Sequence, residues 1–456
     1  MNRRALALLV ALALTSAGAA PPNFIVFLID DLGATDLGCM GSRFYETPHI
    51  DRLAAQGMKF TQAYSACTVC SPTRAAMLTG KYPARLHLTD WIAGHSRPHA
   101  KLMVPDWTKH LPLEEVTMAE ALKPAGYATA QIGKWHLGGP EFYPAKQGFD
   151  ISLGGTDKGQ PPSYFSPYRI ATLPDGPQGE FLTDREAAEA CKFIETHRDR
   201  PFFIYLTHHA VHTPLMGKKE VVAKYQRKAA GQPDYPQKNA TYAALVESVD
   251  ESVGRIVKKL EEMKLEGQTL ILFTSDNGGL TLREITRNLG LRAGKGSAYE
   301  GGVRVPFIVK WPGVVKPGST CEVPVMTIDC FPTILEIAGA PRAGAPDGES
   351  LVPLFKQTGA LKRDALFWHY PHYHPGGATP HAAVREDDFK LVKFYEDGRE
   401  ELYNLRADPS EKSDLSKTDS NRTAALATRL ARWQKSVGAQ FATPNPRHDA
   451  ARNPRE

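Results

Sequence analysis

Apolar residues in this chain gather into short unbroken runs, and the polar residues at the end of each run are more informative than the run itself. Residues 24–29 (FIVFLI) stop at Asp30-Asp31. Residues 127–132 lead into Gly133-Lys134-Trp135-His136, residues 202–206 into Thr207-His208-His209 and on to His212-Thr213-Pro214, and residues 270–274 into Ser275-Asp276-Asn277-Gly278-Gly279. Such runs fit strands buried on both faces. Residues 241–265 instead space Leu245, Val249, Val253, Ile256 and Leu260 by three or four, with Lys258, Lys259, Glu261 and Glu262 mostly off that stripe. This predicts an amphipathic helix capped near Gly267. Strands alternating with helices imply right-handed crossovers and a mostly parallel α/β sheet, whose carboxyl edge is where ligands bind. Four predicted strand ends thus deliver acids, amines and imidazoles to one edge.

Residues 77–110 and 140–180 are rich in Pro, Gly and aromatics without a steady period, which predicts long loops over that edge, holding substrate. A Pro/Gly/Ala stretch at 341–346 suggests a connection. Strand-like pieces come next at 366–369, 382–385, 390–394 and 401–403, then a helix at 421–437. At the other end, Arg3 and Arg4, an apolar run at 5–14 and Ala17-Gly18-Ala19 form a secretory signal. The expected organisation is a leader at 1–20, a large unit at 21–359 and a small antiparallel domain with its tail at 360–456.

The apolar run of the leader is too short to span a bilayer and no later segment looks transmembrane, so stable membrane insertion is not expected. The mature chain is expected to be periplasmic or extracellular. Composition adds little: 456 residues, 42% hydrophobic and 23% charged, fit a globular protein. The formal net charge of +5 loses Arg3 and Arg4 with the leader, leaving a mild bias toward anionic substrates and no basis for nucleic-acid binding. The cysteines at 39, 67, 70, 191, 321 and 330 permit disulfides in an exported chain, but a core of this size does not need them.

The chemistry concentrates in a few places. Asp30, Asp31, Asp276 and Asn277 are hard oxygen ligands from two strand ends without a Cys/His set, which suits calcium; separately they could be a helix cap and a turn. Lys134 and Lys295 can each set an ammonium on a tetrahedral anion, with the Arg74 guanidinium beside them. His136 and His212 suit proton transfer near neutral pH. His208 and His209 fit supporting or structural roles. The segment Trp368-His369-Tyr370-Pro371-His372-Tyr373-His374 suits sugar stacking and bonding to hydroxyls or sulfate, with His372 and His374 as candidate substrate ligands; loop packing or a transition-metal site are the alternatives. Cys70 could be a small buried hydrophobe or half of a Cys67-x-x-Cys70 pair.

The stretch Cys70-Ser-Pro-Thr-Arg74 with Thr79-Gly80, together with Asp30-Asp31, Gly-Lys134-Trp-His136-Leu-Gly, His212-Thr-Pro, Asp276-Asn277-Gly-Gly, Lys295 before Glu300-Gly-Gly, Lys390-Leu-Val and Glu401-Leu-Tyr-Asn-Leu, resembles the formylglycine-dependent sulfatases over essentially the whole mature chain. The resemblance implies an alkaline-phosphatase-like α/β core and a maturation enzyme that oxidises Cys70 to formylglycine. It implies that the hydrate of residue 70, on calcium held by Asp30, Asp31, Asp276 and Asn277, attacks the sulfur of a sulfate ester. Lys134 and Lys295 would hold sulfate oxygens, Arg74 would steady the hydrate, His212 would protonate the departing alcohol, and His136 would help regenerate the aldehyde. Many relatives place a hydroxyl residue where this chain reads Gly154-Gly155-Thr156. The leading expectation is an exported sulfatase acting on sulfated carbohydrate or aryl sulfate. The alternatives are a phosphodiesterase or phosphonate monoester hydrolase of the same superfamily, and a non-catalytic glycan-binding protein.

Overall fold

The computed structural model describes residues 21–341 and 343–452; the expected leader at 1–20 lies outside them. Eight strands form the main sheet: β1 (Asn23–Ile29), β2 (Met58–Phe60), β3 (Ala128–Gly133), β4 (Ile151–Leu153), β5 (Phe202–Thr207), β6 (Thr269–Ser275), β7 (Phe307–Lys310) and β8 (Ser319–Cys321). Their order is β8-β2-β7-β6-β1-β5-β3-β4, and only β7 runs against its neighbours. The strongest apolar runs occupy the centre. Every residue of Phe24 to Ile29 is 0% exposed, because alternate side chains enter two different cores.

Ile25, Phe27 and Ile29 pack with α3 (Leu182–Thr196) and α5 (Ala240–Glu262), below α1 (Pro48–Ala55) and α4 (Lys219–Ala230). Phe24, Val26 and Leu28 pack on the other face with α2 (Cys70–Thr79) and α6 (Cys330–Ala338). The α5 stripe is buried as its spacing predicts. Its end differs: Met263 is the C-cap, Lys264 turns left-handed at φ 58°, and Gly267 lies in a following 3-10 turn. The long loops also begin later than expected, since residues 77–79 complete α2.

The small sheet is an antiparallel meander, β9 (Ala365–Tyr370), β10 (His381–Glu386), β11 (Phe389–Phe394) and β12 (Glu400–Asn404), covered by α7 (Ser420–Ser436). It shares a core with the large unit, where Trp368, Ala383 and Val392 meet Tyr64, Ala76 and Met326. A buried ion network crosses the same boundary. Lys390 Nζ lies 2.9 Å from Glu300 Oε1 and 3.1 Å from Glu411 Oε1, and Tyr64 donates to Glu300 Oε2 at 2.8 Å. Beyond α7 the tail returns, and Thr443–Pro444 pairs with Leu102–Met103 of the long loop.

Candidate active site at the strand ends

The strand ends converge as the sequence predicts. Asp30 and Asp31 follow β1, Lys134 and His136 follow β3, His212 follows β5, and Asp276 and Asn277 follow β6, all close to the first residue of α2. That residue is Cys70, 2% exposed. Pro72 fits the first turn of α2, where a proline nitrogen has no hydrogen bond to lose, and Gly80 closes the helix in the left-handed conformation at φ 71°. Arg74 sits one turn on from Cys70, on the same face.

Arg74 is completely buried and donates to Asp276 Oδ2 from Nε (2.9 Å) and from its NH2 group (2.7 Å), and to the Lys134 carbonyl at 3.1 Å. Lys134 Nζ meets Asp30 Oδ2 at 2.7 Å and Lys295 Nζ meets Asp31 Oδ1 at 2.6 Å. Asn277 donates to Asp31 Oδ1 at 2.8 Å, and the Asp31 amide donates to Asp276 Oδ1. Asp30, Asp31 and Asp276 thus face Arg74, Lys134 and Lys295, so the fixed charges cancel. Burial pushes Asp30 well up against the pull of Lys134. At Asp31 burial is outweighed by Lys295 and His212, and at Asp276 by Arg74 and Lys134, which hold both carboxyls below the usual range.

Three buried oxygens in this ring, Asp30 Oδ1, Asp31 Oδ2 and Asn277 Oδ1, have no hydrogen-bond partner among the described residues. Arg74 approaches Asp30 Oδ1 only to 3.7 Å, an ion-pair separation, and His212 Nε2 approaches Asp31 Oδ2 only to 3.6 Å, beyond hydrogen-bond distance. Each orphaned buried acceptor costs about 1–3 kcal/mol. Ligand atoms of Asp30, Asp31 and His212 also lie within 4.8 Å of one another. The three unpartnered oxygens fit a hard divalent cation.

The histidines differ in their bonding. His136 Nε2 donates to the Ile92 carbonyl, which leaves Nδ1 as the acceptor facing Cys70 Sγ at 3.4 Å. Burial, reinforced by Lys134, holds this imidazole neutral. His212 Nδ1 donates to the Thr213 carbonyl at 2.8 Å, so its Nε2 faces Asp31; burial and then Lys295 push it down to about 3. His208 and His209 turn away, each bonded through Nδ1 to Glu186 at 2.6 Å. Thr156 contributes its carbonyl, which accepts from the His136 amide at 2.8 Å.

The two small-domain candidates separate. His374 lays its ring on Gly296, where an added Cβ would lie 2.3 Å from His374 Cγ, and so sits beside Lys295. Its Nδ1 accepts from the Gly376 amide at 3.0 Å, which makes Nε2–H the donor of the neutral ring. His372 is 1% exposed, with Nε2 on Thr89 Oγ1 at 2.8 Å, Nδ1 facing Asp90 at 3.8 Å and its edge against Trp107. For His372, expected from sequence as a substrate ligand, the nitrogens are turned to protein groups that join the small sheet to the long loop. All six cysteines are unpaired, including Cys67 and Cys70. Ile92, which orients His136, and Glu186 were not singled out from sequence; an isolated Ile or Glu carries no local signal of such a role.

Comparison with known proteins gives the family. The sulfatase family model matches residues 22–340, and the model for the C-terminal part of N-sulphoglucosamine sulphohydrolase matches residues 294–436. The chain belongs to the sulfatase family and is a sulfuric ester hydrolase. It is similar to human (Homo sapiens) arylsulfatase A, at 36% identity over 85% of this chain and 78% of that protein. It is also similar to a sulfatase of Formosa agariphila, at 34% identity over 90% and 87%. The crystal structure of Ps i-CgsB in complex with k-i-k-neocarrahexaose superposes with a TM-score of 0.78 and 30% identity, covering 94% of this chain and 96% of that one. Among the described residues no helix is long and apolar enough to cross a membrane.

Proposed function

We propose that this protein is an exported, calcium-using sulfatase of sulfated glycans, with Cys70 converted to formylglycine by a maturation enzyme. One observation carries the reading: residue 70 opens a buried helix within 3.4 Å of the His136 acceptor nitrogen, in a charge-balanced ring with three unpartnered oxygens. Asp30, Asp31, Asp276, Asn277 and residue 70 would hold the cation. When bound, the cation and the hydrated aldehyde would supply an activated oxygen nucleophile and added positive charge.

The chain's own residues do the remaining work. Lys134 and Lys295 exchange part of their contact with Asp30 and Asp31 for sulfate oxygens and stabilise charge developing there. Arg74, fixed on Asp276, steadies the hydroxyls of residue 70. His136 Nδ1 takes a proton from a hydroxyl of residue 70, because its other nitrogen is committed to Ile92. His212 protonates the departing alcohol from Nε2, and the negative charge of the bound ester favours that proton. His374 Nε2–H, beside Lys295, binds a hydroxyl or sulfate oxygen next to the scissile group.

A glycan substrate is supported by the k-i-k-neocarrahexaose in the complex of the structural relative, and export by the leader at 1–20. Mass spectrometry of the peptide spanning Cys70, together with turnover of nitrophenyl sulfate against phosphate mono- and diesters, tests the proposal. The aldehyde mass and a preference for sulfate are expected; an intact thiol in fully active enzyme excludes the nucleophile.

A further inference from the structure

Beneath the pocket lies a buried acid with no part in the chemistry above. Glu186, on α3, is 1% exposed and divides its carboxylate between two neighbouring imidazoles, His208 Nδ1 on Oε2 and His209 Nδ1 on Oε1, both at 2.6 Å. A carboxylate only accepts, so both Nδ1 atoms are donors. His208 Nε2 bonds to Ser252 Oγ at 2.8 Å, on α5. Burial would raise Glu186, but the two histidines hold it below the usual range, as a carboxylate.

The same oxygens reach a second strand end. A Cβ at Gly133, the residue before Lys134, would lie 2.1 Å from the Thr207 carbonyl oxygen and 3.2 Å from Glu186 Oε1. Residues 207–212 are tied on their other side as well: the Ala210 carbonyl accepts from the Asp30 amide, and the Asp30 carbonyl accepts from Val211. Tyr164 donates to the carbonyls of His209 (2.6 Å) and His212 (2.9 Å). Thr207 Oγ1 donates to the Ile132 and Lys134 carbonyls at the start of the segment, and the two side-chain anchors nearer His212, His208 and His209, both end on one carboxylate.

We propose that Glu186 is a positioning residue for leaving-group protonation: through His208 and His209 it sets the segment that aims His212 Nε2 at the departing oxygen. This rests on the reading of His212 as the acid. Gln at 186 presents one acceptor and one donor, so one of the two Nδ1–H groups loses its partner and the segment shifts.

The test compares Glu186→Gln, Glu186→Asp and His212→Ala on nitrophenyl sulfate, which has a good leaving group, and on an alkyl or sugar sulfate, which has a poor one. For Glu186→Gln, kcat on the poor leaving group should fall about 10–100-fold, with nitrophenyl sulfate within about threefold, KM little changed and melting cooperative. Glu186→Asp should recover part of the loss. Equal losses on both substrates in Glu186→Gln, with His212→Ala still discriminating, overturn the clamp alone. Equal losses in His212→Ala overturn the acid reading and this inference with it. Should Glu186→Gln fail to fold, Ser252→Ala, which removes the outer bond to His208, is measured the same way; absence of the leaving-group difference there overturns the proposal.

Discussion

The strand-end ring and the Lys390 network are both buried clusters of opposite charges, yet they are finished differently. At the lobe boundary Lys390 serves Glu300 and Glu411, the Glu300 amide donates to Glu411 Oε2 at 2.7 Å, and Arg385 reaches Tyr64 and Gln62. Glu411 Oε1 lacks an aligned hydrogen bond, but an ammonium lies 3.1 Å from it. At the strand ends, three buried oxygens have no hydrogen-bond partner among the described residues. Charge balance alone therefore does not separate a latch from a catalytic pocket. Three unmet acceptors within one set of strand ends do, since a buried polar group without a partner calls for an explanation such as an ion to be bound.

That contrast predicts opposite consequences of substitution. The largest effect is expected from Cys70→Ala, which should lower kcat by about 1,000-fold or more while the melting temperature stays put. Comparable loss of both would place Cys70 among core residues instead. Next, Asn277→Ala removes an unpartnered oxygen and should weaken calcium binding about 10–100-fold, read as the calcium concentration restoring activity after chelation. A chelator-insensitive wild-type enzyme would remove the cation from the ring.

At the latch, Lys390→Met leaves two buried carboxylates without their shared cation and should destabilise by about 3–5 kcal/mol, with kcat/KM of the folded fraction within about threefold. Adding Glu411→Gln should recover part of that stability, because the carboxyl already rises to about 7 through burial despite Lys390. The last effect concerns acid and vanishes at neutral pH. Burial pushes His369 and His381 down to about 4 and His372 to about 3, from an ordinary 6.5. The unfolded chain then binds more protons than the folded one below 6.5, so this stability is full above 6.5 and drains as pH falls toward 4. His372→Gln should flatten the melting curve across that window by about 1.4 kcal/mol per pH unit, and an unchanged slope would contradict it.

Much of this architecture was legible in the chain because the strands are long apolar runs and the acids come directly after them. Residues 24–29, 202–206 and 270–274 sit inside the observed strands to within a residue or two, and the 241–265 pattern became a helix from Ala240 to Glu262. The features that stayed hidden depended on distant partners. Lys264 ended α5 in a left-handed turn that no propensity favours, so the nearby glycine misled. The helix opening at Cys70 has Pro72 as a start signal, but its burial on every side erases the amphipathic period that would reveal it. His372 and His374 are two residues apart in one motif, and only the docking of that turn on Lys295 and Gly296 separates their surroundings.

Asp31 and His136 both hold left-handed backbone, at φ 63° and 60°, a conformation few residues with a side chain adopt. Codon-randomised libraries at these two sites will therefore conflate altered chemistry with altered loop shape. Asparagine and glycine, which tolerate that geometry, are the informative replacements for anyone retuning this enzyme, whereas valine, isoleucine or threonine would report mainly on distortion.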